Sequence, residues 1–151
     1  MESFSGKDRS TNQAYKDCLK KRKIIPFSRA KNLARKELLA AADDRAEAKD
    51  RFANRRYKYA TINAYYAIFH SSRALLYSKG YRERSHHCLA VALEALFVES
   101  GLMDIRFIKM FREGMSLRED ADYSGSFSKE SAKLSLVNTE EFLTKAESLL
   151  A

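Results

Sequence analysis

Three side chains that can bind a ligand or take part in a reaction occur together in the stretch LREDADY, which contains Arg118, Asp122 and Tyr123. The guanidinium group of an arginine binds phosphate oxygens and can stabilise negative charge that develops in a transition state. A carboxylate can accept a proton, and a tyrosine hydroxyl group can donate one. The stretch therefore has the residue types of a small recognition site or of a reactive site.

The helix that carries this stretch decides which way its side chains point. Ile108, Phe111 and Met115 are three and four residues apart, a spacing that predicts the buried face of a helix. The same steps continue to Arg118 and Asp122. We therefore expect both charges on the inward side, where they must pair or must line a cleft or a subunit interface.

Tyr123 allows two interpretations. It follows Arg118 by five residues, which is about 140° around an ideal helix, so the two side chains would diverge. They can converge only if the helix unwinds near Tyr123, which the following Ser-Gly-Ser favours. In the alternative, Arg118 and Asp122 pair and lock the helix end while Tyr123 packs on the last helix. Spacing alone favours this structural alternative.

The composition predicts that the fold that carries these residues is all-helical. The chain has 151 residues with only one proline and five glycines, and it is rich in good helix formers. Start and stop signals predict a loose tail at residues 1–9 and a bundle of five or six helices. The expected helices are Ser10–Lys23, Ser28–Asn54, Tyr57–Lys79, His86–Ser100, Asp104–Asp122 and a last helix capped by Ser128. We expect two regions, a flexible basic tail with a short helix at 1–27 and the bundle at 28–151.

The third helix is expected to be central because it is apolar on several sides. Small residues recur along it at spacings of four and three, which lets a neighbouring helix approach closely: Ala60, Ala64, Ala67, Ser71 and Ala74. Its aromatic residues Tyr65, Tyr66 and Phe69 are interpreted as core or interface residues, not as a platform for base stacking.

Positive charge is concentrated in the N-terminal part of the chain. The net charge is +8, and residues 1–60 hold 17 Lys and Arg against 8 Asp and Glu, whereas residues 61–151 hold 11 against 12. Such clustering can attract phosphate backbones, although it can equally be the solvated face of two helices. The candidate nucleic-acid-binding residues are Lys20, Lys21, Arg22, Lys23, Arg55 and Arg56.

The remaining chemistry-bearing residues predict no metal and no cofactor. The three histidines lack acidic partners at ligand spacing, so no metal site is expected. Cys18 and Cys88 have no ligand or redox spacing, and two free thiols in a reducing cytosol are expected, with a disulfide as the alternative. No apolar run is long enough for a membrane span, and the N-terminus has no signal-peptide core, so a cytoplasmic location is expected.

Four segments together resemble the HEPN domain family: INAYYAIFHSSRALLYSKGYRERSHH, the helix after it, LREDADY, and SKESAKLSLVNTEEFL. The resemblance covers about residues 29–150 and is closest to the small, single-domain members. It implies an up-and-down antiparallel bundle of four to five core helices, here with an additional N-terminal helix, and usually a homodimer. Many members are metal-independent ribonucleases in which an arginine is followed, after four to six residues, by a histidine. Others bind nucleotides, or form a toxin–antitoxin pair with a small nucleotidyltransferase.

The chain departs from that pattern at one position. Arg118 stands where the family has its arginine, but Tyr123 occupies the place of the histidine. A tyrosine with a pKa near 10 is a poor general base at neutral pH. Asp122, or His86 at the start of the neighbouring helix, could take the proton instead. The alternative for His86 is packing or hydrogen bonding at that helix start.

Three functions follow from these observations. In the first, the protein is a dimeric binding and regulatory module that presents Arg118 and the basic face to RNA, a nucleotide or a nucleotidyltransferase partner. In the second, it is a metal-independent endoribonuclease that uses Arg118 with Tyr123, Asp122 or His86. In the third, it is a scaffold subunit in which the Arg118 cluster is purely structural.

Overall fold

The computed structural model describes residues 2–151 and their side chains from Thr11 onward. In that part of the chain it has six α-helices and two short strands, which confirms the all-α bundle. The elements are α1 Glu2–Lys20, β1 Ile24–Pro26, α2 Ala30–Ala53, α3 Tyr57–Ser78, β2 Tyr81–Glu83, α4 His86–Leu93, α5 Arg106–Glu119 and α6 Lys129–Leu150.

Helix α3 lies at the centre, as its composition predicted. Its small residues from Ala60 to Ala74 are fully buried, so that α2 and α6 pack close to its backbone. The hydroxyl group of Thr139 on α6 donates a hydrogen bond of 2.8 Å to the carbonyl oxygen of Ala64. A side chain can reach the backbone of a neighbouring helix only when the two axes are close together.

The long helices alternate in direction. Helix α2 is antiparallel to α3, because its Asp44 bonds to Asn63 while the earlier Glu37 bonds to the later His70. Helix α5 is antiparallel to α6, since Phe107 packs on Phe142 and Glu113 bonds to Asn138. Helices α3 and α6 are parallel. The end of α2, the start of α3, the end of α5 and the start of α6 therefore lie at one end of the bundle.

The sequence did not indicate the two strands. Ile24, Ile25 and Pro26 pair in antiparallel register with residues 83, 82 and 81, a segment that was expected to be a loop. Strands of three residues that are so far apart in sequence leave no periodic pattern to detect. Ile24 is fully buried, so the pairing fixes the N-terminal segment against the bundle.

Cys18 and Cys88 form a disulfide in this structure, and the expectation of two free thiols is wrong. The strand pairing and the packing of α1 on α4 bring the two Cα atoms to 5.8 Å, within the usual range for a disulfide. The hydroxyl group of Thr11 also donates a hydrogen bond to Glu94, just beyond α4. Helix α1 is thus attached covalently and by side chains.

The expected helix ends are partly correct. Ser85 and Ser128 cap α4 and α6 by accepting backbone hydrogen bonds of 3.0 Å. Ser28 does not cap α2, which begins at Ala30 without a side-chain cap. Helix α1 begins before the expected Ser10 and ends before Lys23. No helix among those described is long and apolar enough to cross a membrane.

Candidate functional site around Arg118

Arg118 lies in the last turn of α5 and points toward α3, on the side that its spacing predicted. The preceding part of the same face is in the core, with Ile108 and Phe111 fully buried. Gly114 comes next and faces the ring of Tyr65, which leaves α5 close to α3. As a result the Arg118 side chain is only 11% exposed.

Three tyrosine rings surround the guanidinium group of Arg118. Its Cζ atom lies 5.3 Å from the ring centroid of Tyr65, 5.9 Å from that of Tyr66 and 5.9 Å from that of Tyr123. The negative faces of aromatic rings attract a cation, by about 0.5–2 kcal/mol per ring depending on desolvation. The rings therefore provide part of the stabilisation that water would give to an exposed charge.

A change in helix geometry brings Tyr123 back toward Arg118. After Glu119 the helix continues as a π-helical turn through Asp120–Ser124, in which the amide of Gly125 bonds to the carbonyl of Asp120 five residues earlier. Because a π-turn closes its hydrogen bond between residues five apart, such residues lie nearer to each other around the helix axis than they do in an α-helix. Unwinding was thought necessary for the two side chains to converge, but the helix widens at Tyr123 instead. Tyr123 is 78% exposed, so the interpretation that it packs on the last helix is wrong.

The charge of Arg118 is incompletely paired. Its nearest carboxylate is Asp122, with 3.9 Å between the nitrogen and oxygen atoms, at the outer limit of an ion pair. Asp122 is also 44% exposed, so it does not continue the buried face as expected. The Nε atom of Arg118 is buried and has no hydrogen-bond partner among the described residues. An anion with oxygen acceptors would pair with the guanidinium charge, which Asp122 compensates only in part.

His86 is connected to Arg118 through Tyr65. It is the first residue of α4, and its Nδ1 atom shares a hydrogen bond of 2.5 Å with the Tyr65 hydroxyl group. Its ring stacks on Phe69 with 4.4 Å between centroids. Arg118 and His86, which come from two helices, thus both contact Tyr65, and Asp122 and Tyr123 lie beside Arg118.

Burial determines the protonation of this cluster. Burial, and next the positive charges of Arg118 and Arg73, lower the pKa of His86 below its ordinary value of 6.5. Burial raises the pKa of the Tyr65 hydroxyl group far above its ordinary value of 10. At neutral pH the imidazole ring is neutral and the phenol keeps its proton. Of the two groups, only His86 is able to accept a proton.

The candidate nucleic-acid-binding residues fall at opposite ends of the bundle. Arg55 and Arg56 lie in the α2–α3 turn, at the end of the bundle that carries Tyr123. The run from Lys20 to Lys23 leads into β1, beside the strand that follows the other end of α3. Helix α3 has 22 residues, about 33 Å, so the structure does not combine the two groups into one surface.

Sequence reasoning missed a second polar network, which joins α2, α3 and β2. Arg73 contacts the carboxylates of Glu83 at 3.2 Å and Glu37 at 3.5 Å, and Glu37 bonds to His70 at 2.8 Å. Burial raises the pKa of Glu83, whereas for Glu37 the hydrogen bond from His70 and the charge of Arg73 outweigh burial and lower the pKa. The position of Arg73 on an apolar face of α3 was the signal that could have revealed it.

None of the described His, Cys, Asp and Glu side chains are grouped in threes or more in a way that could hold a metal ion. The chemistry that this arrangement can perform with its own groups is anion binding by Arg118 and proton acceptance by His86. Tyr123 adds an exposed ring at the edge of the site.

The fold and the site define the class of this protein: it is an α-helical bundle in which a buried arginine lies beside a tyrosine at the π-helical end of α5. The sequence profile of the HEPN domain matches residues 34–149. This chain belongs to the HEPN domain family, as the resemblance of its motifs indicated.

Two relatives come from the archaeon Methanocaldococcus jannaschii, and each is described as a "putative toxin". One is 33% identical over 84 residues, which cover 56% of this chain and 63% of the relative. The other is 26% identical over 117 residues, which cover 76% of this chain and 80% of the relative. The chain thus spans less than two thirds of the length of the more similar of these two proteins.

Proposed function

We propose that this HEPN protein is a binding and regulatory module that holds a phosphate group of RNA or of a nucleotide at Arg118. One observation carries the proposal: the guanidinium group is largely buried, its nearest carboxylate is 3.9 Å away, and its Nε atom has no partner in the described part of the chain. A phosphate offers the charge and the acceptor oxygens that this group lacks.

Binding of fluorescein-labelled single-stranded RNA and of a labelled adenine nucleotide tests this proposal. Arg118→Ala should weaken the affinity of the bound ligand about 10- to 100-fold, because hydrogen bonds to charged groups contribute about 1.5–3 kcal/mol. Arg112→Ala on the same helix is the matched control, since its side chain is exposed. Equal affinity of the Arg118→Ala variant and the wild-type protein for both ligands would overturn the proposal.

The pKa of His86 favours a second candidate, a metal-independent endoribonuclease. Its lowered pKa keeps the imidazole neutral beside the Arg118 charge, so it could remove the proton of a ribose 2′-hydroxyl group. This role requires the tautomer in which Nδ1–H donates to Tyr65 and Nε2 keeps its lone pair.

RNA cleavage in excess EDTA tests the second candidate. His86→Gln and Arg118→Ala should each lower the rate about 10²- to 10⁴-fold. His87→Gln is the matched control, because its ring is exposed beside His86. An absence of cleavage by the wild-type protein at high concentration would exclude the enzyme and leave the binding module.

A homodimer, and a pairing with a nucleotidyltransferase as half of a toxin–antitoxin system, are further parts of the proposal. Family membership and the description of the two relatives support them, as does the exposed Tyr123 ring at the edge of the site. Light scattering on the purified protein tests the dimer. Co-purification with a nucleotidyltransferase encoded by a neighbouring reading frame, compared between wild type and Tyr123→Ala, tests the pairing.

A further inference from the structure

An exposed aromatic ring surrounded by cations lies at the α2–α3 turn. Tyr59 is 42% exposed, and three cationic groups lie within 6 Å of its ring centroid. The distances are 5.8 Å for Arg51, 5.1 Å for Arg56 and 5.5 Å for Lys58. The ring is not part of the hydrophobic core, so packing does not explain its presence.

The positive charge at this ring is mostly unpaired. Arg51 is bridged to Glu47 at 3.2 Å, but within the described part of the chain neither Arg56 nor Lys58 forms an ion pair with a carboxylate. Like charges that are held close together repel each other, and an anion placed among them would be attracted. Cations beside an exposed ring are the combination with which proteins bind single-stranded nucleic acids, since the ring stacks on a base and the cations contact phosphates.

The ring is aligned with the Arg118 site along α3. Tyr59 and Tyr66 are seven residues apart, which places them on the same face of the helix at a rise of about 10.5 Å. Tyr66 is one of the three rings around Arg118. The half-exposed Ile62 lies between them on that face, so a chain of nucleotides could run from one site to the other without crossing a helix.

We propose that Tyr59, with Arg56 and Lys58, binds one nucleotide of a single-stranded RNA, and that Arg118 holds a phosphate further along the same strand. The ring stacks on the base, and the two cations contact the adjoining phosphates. The inference rests on the proposed function, because it supplies the class of ligand for the same face. It adds a stacking subsite, which makes the preferred ligand a short strand instead of a free nucleotide.

The test measures the affinity of a short fluorescein-labelled oligouridylate by fluorescence anisotropy. Tyr59→Ala should weaken binding about 5- to 100-fold, the range for loss of one stacked base, whereas Tyr59→Phe should bind like the wild-type protein. Leu39→Ala, another exposed apolar residue, is the control and should have no effect. Thermal melting of each variant shows whether an effect on binding arises from misfolding.

The salt dependence separates charge from stacking. The double variant Arg56→Gln/Lys58→Gln should flatten the slope of log affinity against log salt concentration, since fewer counterions are released. Lys16→Gln/Lys109→Gln removes the same charge from exposed positions elsewhere and should leave the slope nearer to that of the wild type.

The outcomes distinguish this inference from the function on which it rests. If Tyr59→Ala binds like the wild-type protein while Arg118→Ala binds weakly, the stacking subsite is wrong and phosphate binding at Arg118 stands. If the wild-type protein binds the labelled adenine nucleotide through Arg118 but not the oligouridylate, the subsite is also wrong. If Arg118→Ala has no effect on any ligand, the proposed function fails first.

Discussion

Arg118 combines burial with a shortage of hydrogen-bond partners, and these two properties compete. A charge removed from water must be compensated by partners inside the protein. Three tyrosine rings and one distant carboxylate compensate this charge only in part, and Nε remains without an acceptor among the described residues. A group of this kind is kept at a cost in stability when it serves binding.

The first prediction concerns the stability of an uncharged replacement. The free energy of unfolding of Arg118→Met should equal that of the wild-type protein or be slightly higher, because a hydrophobic residue of similar volume often replaces a buried charge without loss of stability. Urea unfolding measures this, with RNA binding of the same variant measured in parallel. A loss of about 3–5 kcal/mol would instead identify Arg118 as part of a structural ion pair, as in a scaffold subunit.

The second prediction concerns the pH dependence that His86 adds. Its pKa is lowered in the folded protein, so near pH 6 the unfolded chain binds the proton more readily than the folded chain does. The contribution of His86 to stability is therefore complete above its ordinary pKa of 6.5 and is lost as the pH falls below that value. Wild type should lose more unfolding free energy between about pH 7.5 and about pH 5.5 than His86→Gln does. Equal losses in the two proteins would contradict the role of burial at His86.

Much of the site at this scale could be read from the sequence. The step from Met115 to Arg118 placed the guanidinium group on the inward side, because helical spacing is independent of the rest of the fold. The contact between the Tyr65 hydroxyl group and His86 could not be derived in this way, since it joins two helices whose relative position depends on the whole core. The lack of a hydrogen-bond acceptor at Arg118 Nε could not be derived either, because it depends on which side chains the neighbouring helices place beside this atom.

The element that organises the site is the widened end of α5. Its π-turn places Tyr123 beside Arg118, and Gly125 ends the turn with φ +65°. A residue with a side chain adopts this left-handed conformation at a cost of about 1–2 kcal/mol. The geometry of the turn therefore depends on glycine at this position.

The third prediction compares two glycines near the site. Gly125→Ala should lower the unfolding free energy by about 1 kcal/mol, although no atom lies within 4 Å of the added Cβ, because the cost is in the backbone. Gly114→Ala is the control with normal helical geometry, and it should be neutral or stabilising by up to about 1 kcal/mol, since its nearest neighbour is a Tyr65 ring atom at 3.4 Å. Chemical unfolding of both variants measures the difference. The opposite order of stability would show that the turn does not require a left-handed residue.

At the level of elements, the sequence predicted which segments are helical better than how the helices end. Ser85 and Ser128 were correctly identified because a cap is a local interaction of a few residues. The π-turn was not predicted from local sequence; its Ala121 is buried and the turn packs on α3, a contact between distant parts of the chain. The pairing of β1 with β2 has the same origin.

At the scale of the molecule, the N-terminal segment is held to the bundle by three kinds of contact. Strand β1 pairs with β2, Cys18 is bonded to Cys88, and Thr11 donates a hydrogen bond to Glu94. The disulfide is only two residues from His86, so the same attachment also restrains the start of α4.

The fourth prediction concerns that covalent attachment. The double variant Cys18→Ala/Cys88→Ala should lose about 2–4 kcal/mol of unfolding free energy, because the bond closes a loop across a sequence separation of 70 residues in the unfolded chain. Urea unfolding without reductant measures the loss, and the wild-type protein in dithiothreitol should approach the variant. If reductant leaves wild-type stability unchanged, the two thiols are not joined in solution.

The attachment of β1 also limits how far the chain can be shortened without exposing its core. The family profile begins at residue 34, yet Cys18 and Ile24 are buried within the main core cluster. A fragment trimmed to the matched region would uncover the apolar surface of α4 and leave β2 as an unpaired edge, and both features promote aggregation. Shortened versions made for crystallisation should therefore keep the chain from Thr11 onward.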